Sequence, residues 1–248
     1  MDEVDYVEPN GLMYSQQTVV QPNPPSWGLS RVSQIGLPLE PVYTYKETAG
    51  KGVEIHVLDT GIMTTHDDFE DRASWGFVAE GHRHEGEVDL DGHGTHCAGT
   101  VGGREHGVAK NATLRAVKVL GGTGSGSFAA VIAGIDWSTA ERERTGLPTV
   151  ISMSLGGGAC QAVNQAIDAS VASGVHNAIS AGNNAGFDAC LLSPASASFA
   201  FTVAAADEED NMAFFSNIGP CVDIFAPGGE HYVVLHRWRC RHALTIRH

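Results

Sequence analysis

The sequence predicts an α/β protein with a mostly parallel, doubly wound sheet, helices on both faces, and an incomplete C-terminal part. Three observations lead there. Short apolar runs alternate with stretches of helical apolar spacing, the pattern of repeated strand–helix–strand units. Thirty glycines among 248 residues, with only 18% charged side chains, imply many tight turns and close backbone approaches. A hydrophobic content of 42% is enough for one sizeable core.

Taken in order, residues 1–11 alternate apolar and polar around Val4–Tyr6 and end in Glu8-Pro9-Asn10-Gly11, a strand closing in a turn. Residues 12–27 are polar, with Pro22, Pro24 and Pro25 close together, and read as a linker. The compact part begins near Trp27-Gly28-Leu29. The apolar run 53–58 is a strand ending at Asp59, and 94–101 suits a helix after a Gly-rich turn. A strand over 114–120, a helix over 128–140, a strand over 150–154 and a helix over 162–173 follow. Strands at 176–180 and 201–205 complete the pattern. Parallel sheets of this kind bind ligands beyond the carboxyl ends of their strands, and Asp59, Ser154 and the Gly182-Asn183 turn all fall there.

A formal net charge of −14 argues against nucleic acid or an anionic membrane as partner, since both require a basic face. No apolar run is long enough to span a bilayer. No basic-then-apolar signal follows Met1, which for a secreted protein makes the N-terminus look incomplete. The five cysteines, Cys97, Cys160, Cys190, Cys221 and Cys240, form no CxxC pair and show no zinc spacing. Cys190 and Cys221 lie in polar, loop-like segments. They are candidates for one disulfide, hence an oxidising compartment; buried free thiols are the alternative.

Asp59 alone is compatible with a helix cap or a metal ligand. The run Asp91-Gly92-His93-Gly94-Thr95-His96-Cys97-Ala98-Gly99 is more specific, because its glycines let backbone approach an imidazole at the start of a helix. An Asp at a strand end together with such a His is what a hydrolase needs: a base, and a carboxylate to hold its tautomer. In Ser180-Ala181-Gly182-Asn183-Asn184, the Asn183 amide can be aimed at a developing oxyanion, or Asn183 can serve as an ordinary turn residue.

These blocks, with Val57-Leu58-Asp59-Thr60-Gly61-Ile62 and Ser154-Leu155-Gly156-Gly157-Gly158, resemble the signature blocks of the subtilisin-like serine proteases (subtilases), in family order and nearest the fungal proteinase K branch. Phe214-Phe215-Ser216-Asn217 through Val222 to Gly228 resembles the segment leading into the family's serine loop. The resemblance covers roughly residues 27–228. It implies that Asp59 orients His93, that His93 is general base and then general acid, and that Asn183 donates to the oxyanion. It makes Gly124-Ser125-Gly126 and Ser154-Leu155-Gly156 two edges between which a polypeptide substrate lies as an added strand.

By the same resemblance residues 1–26 are the tail of an inhibitory propeptide with its processing linker, so the chain's own propeptide is an expected partner. Residues 27–228 are the peptidase domain, the molecule is a monomer, and its place is extracellular or vacuolar. No cofactor is needed for chemistry. A structural calcium ion is expected at the carbonyls of Ser198 and Ala200 and the carboxylate of Asp223, although Asp223 also reads as a simple loop aspartate. Cys97 resembles the family's thiol-bearing branch and reads as a packed thiol. Asn111-Ala112-Thr113 fits a glycosylation sequon.

The pattern breaks after Gly228. The family continues to Gly-Thr-Ser-Met-Ala, whose Ser is the nucleophile, whereas residues 229–248 turn rich in His and Arg and contain no such segment. Back-translated and read one base later, the tail allows codons for Val-Asn-Ile-Thr-Ser-Ser-Phe-Ile-Gly-Gly-Asp and then Leu-Ser-Gly, close to what precedes the family's serine. A frameshift is one explanation, and a diverged pseudo-enzyme tail is the other. Either way the expectation is a protease scaffold that does not cleave peptides and folds marginally, or a pseudo-protease that binds peptides or a propeptide in its groove.

Overall fold

A computed structural model describes residues 17–229. The expected strand at Val4–Val7, most of the propeptide-like segment, and the tail beyond Gly229 with Cys240 lie outside the described residues.

In chain order the elements are β1 (Thr18–Pro22), α1 (Trp27–Val32), β2 (Val42–Lys46), β3 (Glu54–Asp59), β4 (Ala73–Val78), α2 (His93–Gly102), β5 (Thr113–Lys118), α3 (Phe128–Thr145), β6 (Thr149–Met153), β7 (Gly157–Gly158), α4 (Gln161–Ala172), β8 (His176–Ser180), β9 (Leu192–Ser193), β10 (Phe201–Ala206) and β11 (Ile224–Pro227). Seven strands form one parallel sheet in the order β11-β10-β8-β6-β3-β5-β4. From β3 the chain crosses to the edge strand β4, comes back to β5 beside β3, then passes β3 to place β6 on its other side. The sheet is therefore doubly wound with its switch point between β3 and β6, where such sheets open a crevice.

Side-chain alternation along the strands explains the two helical layers. Ile55 and Val57 of β3, with Leu114 and Ala116 of β5, pack against Cys97 and Ala98 of α2. Leu58 and Val117 point the other way, into a core shared with Val131 and Ile135 of α3 and Val163 and Ile167 of α4. The caps follow the sequence. Ser127 Oγ accepts the Ala130 N–H at 3.1 Å at the start of α3. Gly146, at φ 69°, ends that helix by donating to the Arg142 carbonyl. The helix runs past the expected Ala140 because Glu141-Arg142-Glu143-Arg144 continues it as a solvated turn, with Arg144 paired to Glu141 at 2.6 Å.

Two readings need correction. The linker expected over 12–27 is structured from Thr18. Thr18–Pro22 pairs antiparallel with β2, and Pro22 sits at the end of the ladder, where a missing N–H is tolerated. Ser26 then caps α1 by accepting the Gly28 N–H. The strands β2, β4 and β11 are additional to those expected. A register shift between Trp75 and Phe77 in β4 breaks the alternation on which a sequence reading depends.

The polar residues of β8 are only partly satisfied, since the buried Asn177 Oδ1 has no hydrogen-bond partner among the described residues. Asn177 is buried and donates to Ser170 Oγ at 3.2 Å and to the Val175 carbonyl at 3.3 Å. Ile224 and Phe225 of β11 and Phe201 of β10 are exposed at the sheet's edge.

Candidate active site

Asp59 ends β3 at the switch point, fully buried. The chain then turns through Thr60-Gly61 and passes directly under the first turn of α2. A side chain at Gly94 would run into the Gly61 carbonyl and come within 3.0 Å of Asp59 Cβ, so only glycine allows the helix this close. That approach brings His93 Nδ1 to 2.7 Å from Asp59 Oδ1 and 2.9 Å from Oδ2. The expected hydrogen-bond reach between the two residues is met.

Local contacts fix both partners. The Thr60 N–H donates to Asp59 Oδ1 at 2.7 Å, and Thr60 Oγ1 accepts the Gly94 N–H at 3.0 Å. Asp89, which the sequence reading passed over, acts as the cap of α2. Its oxygens accept the N–H groups of Gly92 and Thr95, both at 2.9 Å, and the Thr60 hydroxyl at 2.8 Å. Its signal was a carboxylate four residues ahead of a helix that starts at a histidine, hidden because the formal N-cap residue is Gly92.

The Asp59 carboxylate stabilises the imidazolium, as does Cys97 to a lesser degree, and together they outweigh burial. The His93 pKa is pushed up to about 11. Cys97 lies with Sγ 3.8 Å from Nδ1, and burial pushes its thiol up, so it stays protonated. It contacts the same ring nitrogen as Asp59, at a longer distance than the carboxylate oxygens. The ligand atoms of Asp59, His93 and Cys97 all fall within 4.8 Å of one another, a closeness that the hydrogen bond itself accounts for.

His93 opens onto a cleft of about 450 Å³. All six expected substrate-edge residues line it: Gly124, Ser125 and Gly126 on one side, Ser154, Leu155 and Gly156 on the other. Glycine is required at 126, where a Cβ would strike the Val119 carbonyl, and Gly124 adopts φ +69°. Between the edges the floor is apolar, from Leu120, Phe128, Val131 and Val163.

Asn183 is exposed on the turn after β8 and is not drawn into that cleft lining. The turn is held by Asn217, another residue the sequence reading left without a role. Its Oδ1 accepts the Asn184 N–H at 2.7 Å, its Nδ2 donates to the Ala181 carbonyl at 2.9 Å, and its own N–H donates to the Gly182 carbonyl at 2.9 Å. A Cβ at Gly182 would sit 2.6 Å from Asn217 Nδ2.

Ser198, Ala200 and Asp223 lie elsewhere, at the N-terminal ends of β10 and β11, opposite the cleft. Asp223 Oδ2 accepts the Thr202 N–H at 2.7 Å and so ties the starts of these strands together. Asp223 is exposed and the Ser198 and Ala200 carbonyls lie in the loop before β10, so the donors are all oxygen, the type a hard cation takes. Cys190 and Cys221 form a disulfide with Cα atoms 5.4 Å apart. Asn111 is exposed, and its side-chain amide donates to the Glu47 carbonyl at 2.7 Å.

Residues 50–246 match the profile described as "Subtilase family". Among curated proteins, the chain is 44% identical over 243 residues to the subtilase-type proteinase psp3 of Schizosaccharomyces pombe, covering 95% of this chain and 51% of that protein. It is 43% identical to the subtilisin-like serine protease Rho m 2.0101 of Rhodotorula mucilaginosa, covering 91% and 67%. Against cerevisin of Saccharomyces cerevisiae it is 42% identical, covering 91% and 36%. The chain thus spans about half the length of several curated relatives it matches. Among solved structures, a cold-adapted subtilisin-like serine proteinase superposes with a TM-score of 0.75 at 40% identity, covering 83% of this chain and 73% of that one.

Proposed function

The chain belongs to the subtilase family, and on that premise we propose that residues 1–248 carry the base half and the substrate groove of a serine-type endopeptidase, without its nucleophile. The hydrogen bond between Asp59 and His93 at the edge of the cleft carries this reading. Asp59 holds the imidazole with Nδ1 protonated. The other ring nitrogen, once it has given up its own proton, takes that of an attacking hydroxyl and returns it to the leaving amine. A peptide lies as an added strand between 124–126 and 154–156. Asn183, set by the Asn217-anchored turn, closes on the oxyanion once substrate is bound.

The nucleophile is the family's serine in Gly-Thr-Ser-Met-Ala, and residues 1–248 do not contain that segment. These residues by themselves therefore bind peptides and do not turn them over. That is also the behaviour of a non-catalytic pseudo-protease, whose peptide groove would use the same two edges. The shifted reading frame separates the two. If a frameshift accounts for 229–248, restoring the frame and the rest of the gene gives an active enzyme with its propeptide as intramolecular partner.

The disulfide supports an oxidising, extracellular or vacuolar setting. No helix among the described residues is long and apolar enough to cross a membrane. Calcium would be held by Asp223 with the Ser198 and Ala200 carbonyls, adding stability and no step of the chemistry. Under this reading calcium raises the unfolding midpoint of the wild-type chain and leaves Asp223→Ala unmoved.

The activity reading is tested with a peptide anilide and a serine-directed phosphonylating reagent. Residues 1–248 are expected to hydrolyse nothing above the buffer blank and to take up no label, while the frame-restored protein does both. Stoichiometric labelling of residues 1–248 at Ser154, Ser180 or any other serine would overturn it.

A further inference from the structure

Lys118 is fully buried, at the last position of β5, where its backbone is paired with Asp59. An ammonium in such a place requires acceptors and a counter-charge. It has both. Nζ donates to the Thr60 carbonyl at 2.6 Å and stands 3.0 Å from Glu85 Oε2. Glu85 in turn accepts the Gly122 N–H with both oxygens, at 3.0 and 3.2 Å. Lys118, and after it the Gly122 N–H, hold the Glu85 carboxyl below its usual range, so it is ionised at neutral pH.

The two ends of this bridge lie at different parts of the site. Thr60 is the residue whose N–H holds Asp59 Oδ1 and whose hydroxyl holds the first turn of the His93 helix. Gly122 sits in the turn that launches the substrate edge. The Gly124 N–H donates to the Gly121 carbonyl, and the Gly121 N–H to the Ser125 carbonyl, both at 2.9 Å. One ion pair thus spans from the backbone that aims the carboxylate to the backbone that receives the peptide.

We propose that Glu85 and Lys118 are positioning residues that couple the 121–126 substrate edge to the orientation of Asp59 against His93. The proposal rests on the reading of Asp59 and His93 as the base pair of a peptidase. A buried ammonium has no water to turn to, so loss of the Glu85 charge forces Lys118 to reorganise and loosens its hold on Thr60. In the other direction, a peptide strand laid on 124–126 fixes Gly122, which steadies Glu85, Lys118 and the Thr60 carbonyl in turn. Substrate binding at the groove edge is thereby converted into a better-held base.

The test uses NMR on residues 1–248, reading the titration of His93 and the amide exchange of Gly122 in wild type, Glu85→Gln and Lys118→Met. Glu85 does not touch Asp59 or His93, and Lys118 does not touch Gly122, so the cross effects decide. The expected results are a His93 midpoint lower by about one unit in Glu85→Gln and Gly122 exchange about tenfold faster in Lys118→Met. Should Lys118→Met not fold, the effect of Glu85→Gln on His93 decides alone, since Glu85 is partly exposed and its replacement keeps an acceptor for Gly122. If each variant disturbs only the group it touches, the pair is a structural brace and the proposal is wrong. Asp59→Asn separates this from failure of the base assignment. A His93 midpoint that moves in Asp59→Asn and stays put in Glu85→Gln refutes the coupling alone, and one unmoved by Asp59→Asn refutes the pairing beneath it.

Discussion

Two Asp–His pairs occur among the described residues, and their contacts are nearly alike. Asp59 meets His93 Nδ1 at 2.7 Å, and Asp68 meets His106 Nδ1 at 3.1 Å. What surrounds them differs. Asp59 ends a central strand at the sheet's switch point, and His93 opens a helix beside a cleft. Asp68 lies in a short 3-10 turn, and His106 lies in the loop between α2 and β5. Asp68 Oδ1 also accepts the Glu105 N–H at 2.7 Å, and Lys110 donates to the carbonyls of Arg104 and Glu105, so this pair closes a loop. His106 Nε2 is buried with no hydrogen-bond partner among the described residues. An Asp–His hydrogen bond is therefore no mark of a catalytic base. Position at strand ends, facing a groove, is what separates the two.

Activity gives the largest contrast. In a protein that carries the family's serine segment, His93→Ala should lower kcat by about 10⁶-fold and Asp59→Asn by about 10⁴-fold, the sizes of effect that such triads show. His106→Ala should leave kcat within about threefold. A comparable loss from both histidines would erase the distinction.

Stability reverses the order. Asp68→Ala leaves the Glu105 N–H and the His106 ring without their acceptor, at a cost of about 2–4 kcal/mol in denaturant unfolding. A change under about 0.5 kcal/mol would mean that the loop does not depend on the pair.

The smallest effects separate the pairs by pH. Burial raises the Asp68 pKa, but His106 and the Glu105 N–H outweigh it and hold the group at about 2, against 3.8 normally. A lowered acid contributes stability present above its unfolded value and lost as pH falls, so Asp68→Asn should flatten the stability curve between about pH 4 and 2. His93, raised by Asp59, contributes stability present below 6.5 and lost as pH rises toward about 11. Asp59→Asn should flatten only that alkaline limb. Flattening of the same limb by both variants would contradict the assignment.

The sequence made one pair visible and left the other hidden for a physical reason. Asp59 follows an apolar run and His93 sits among glycines, so backbone geometry is written into neighbouring residue types. Asp68 and His106 are 38 residues apart with no periodic context, and only folding unites them. Five strands of the parallel sheet, β3, β5, β6, β8 and β10, were legible as short, largely apolar runs, whereas the edge strands β4 and β11 were not. The hairpin of β1 and β2 was not, since its first strand ends among prolines that look like a linker.

Asp89, Asn217 and the Lys118–Glu85 bridge escaped for the same reason as Asp68. Each acts through backbone groups, and backbone partners leave no trace in side-chain pattern. Lys118 did carry one signal, a cation inside the apolar run 114–120, but its counter-charge lies 33 residues earlier.

The central claim is that Asp59 orients the His93 imidazole at the groove edge and raises its basicity. Titrating the His93 ring by NMR in residues 1–248, wild type against Asp59→Asn, tests it most directly. The account predicts a wild-type midpoint raised above 6.5 by Asp59 and returned toward the ordinary range by the substitution. A wild-type midpoint near 6.5, unmoved by Asp59→Asn, would contradict it.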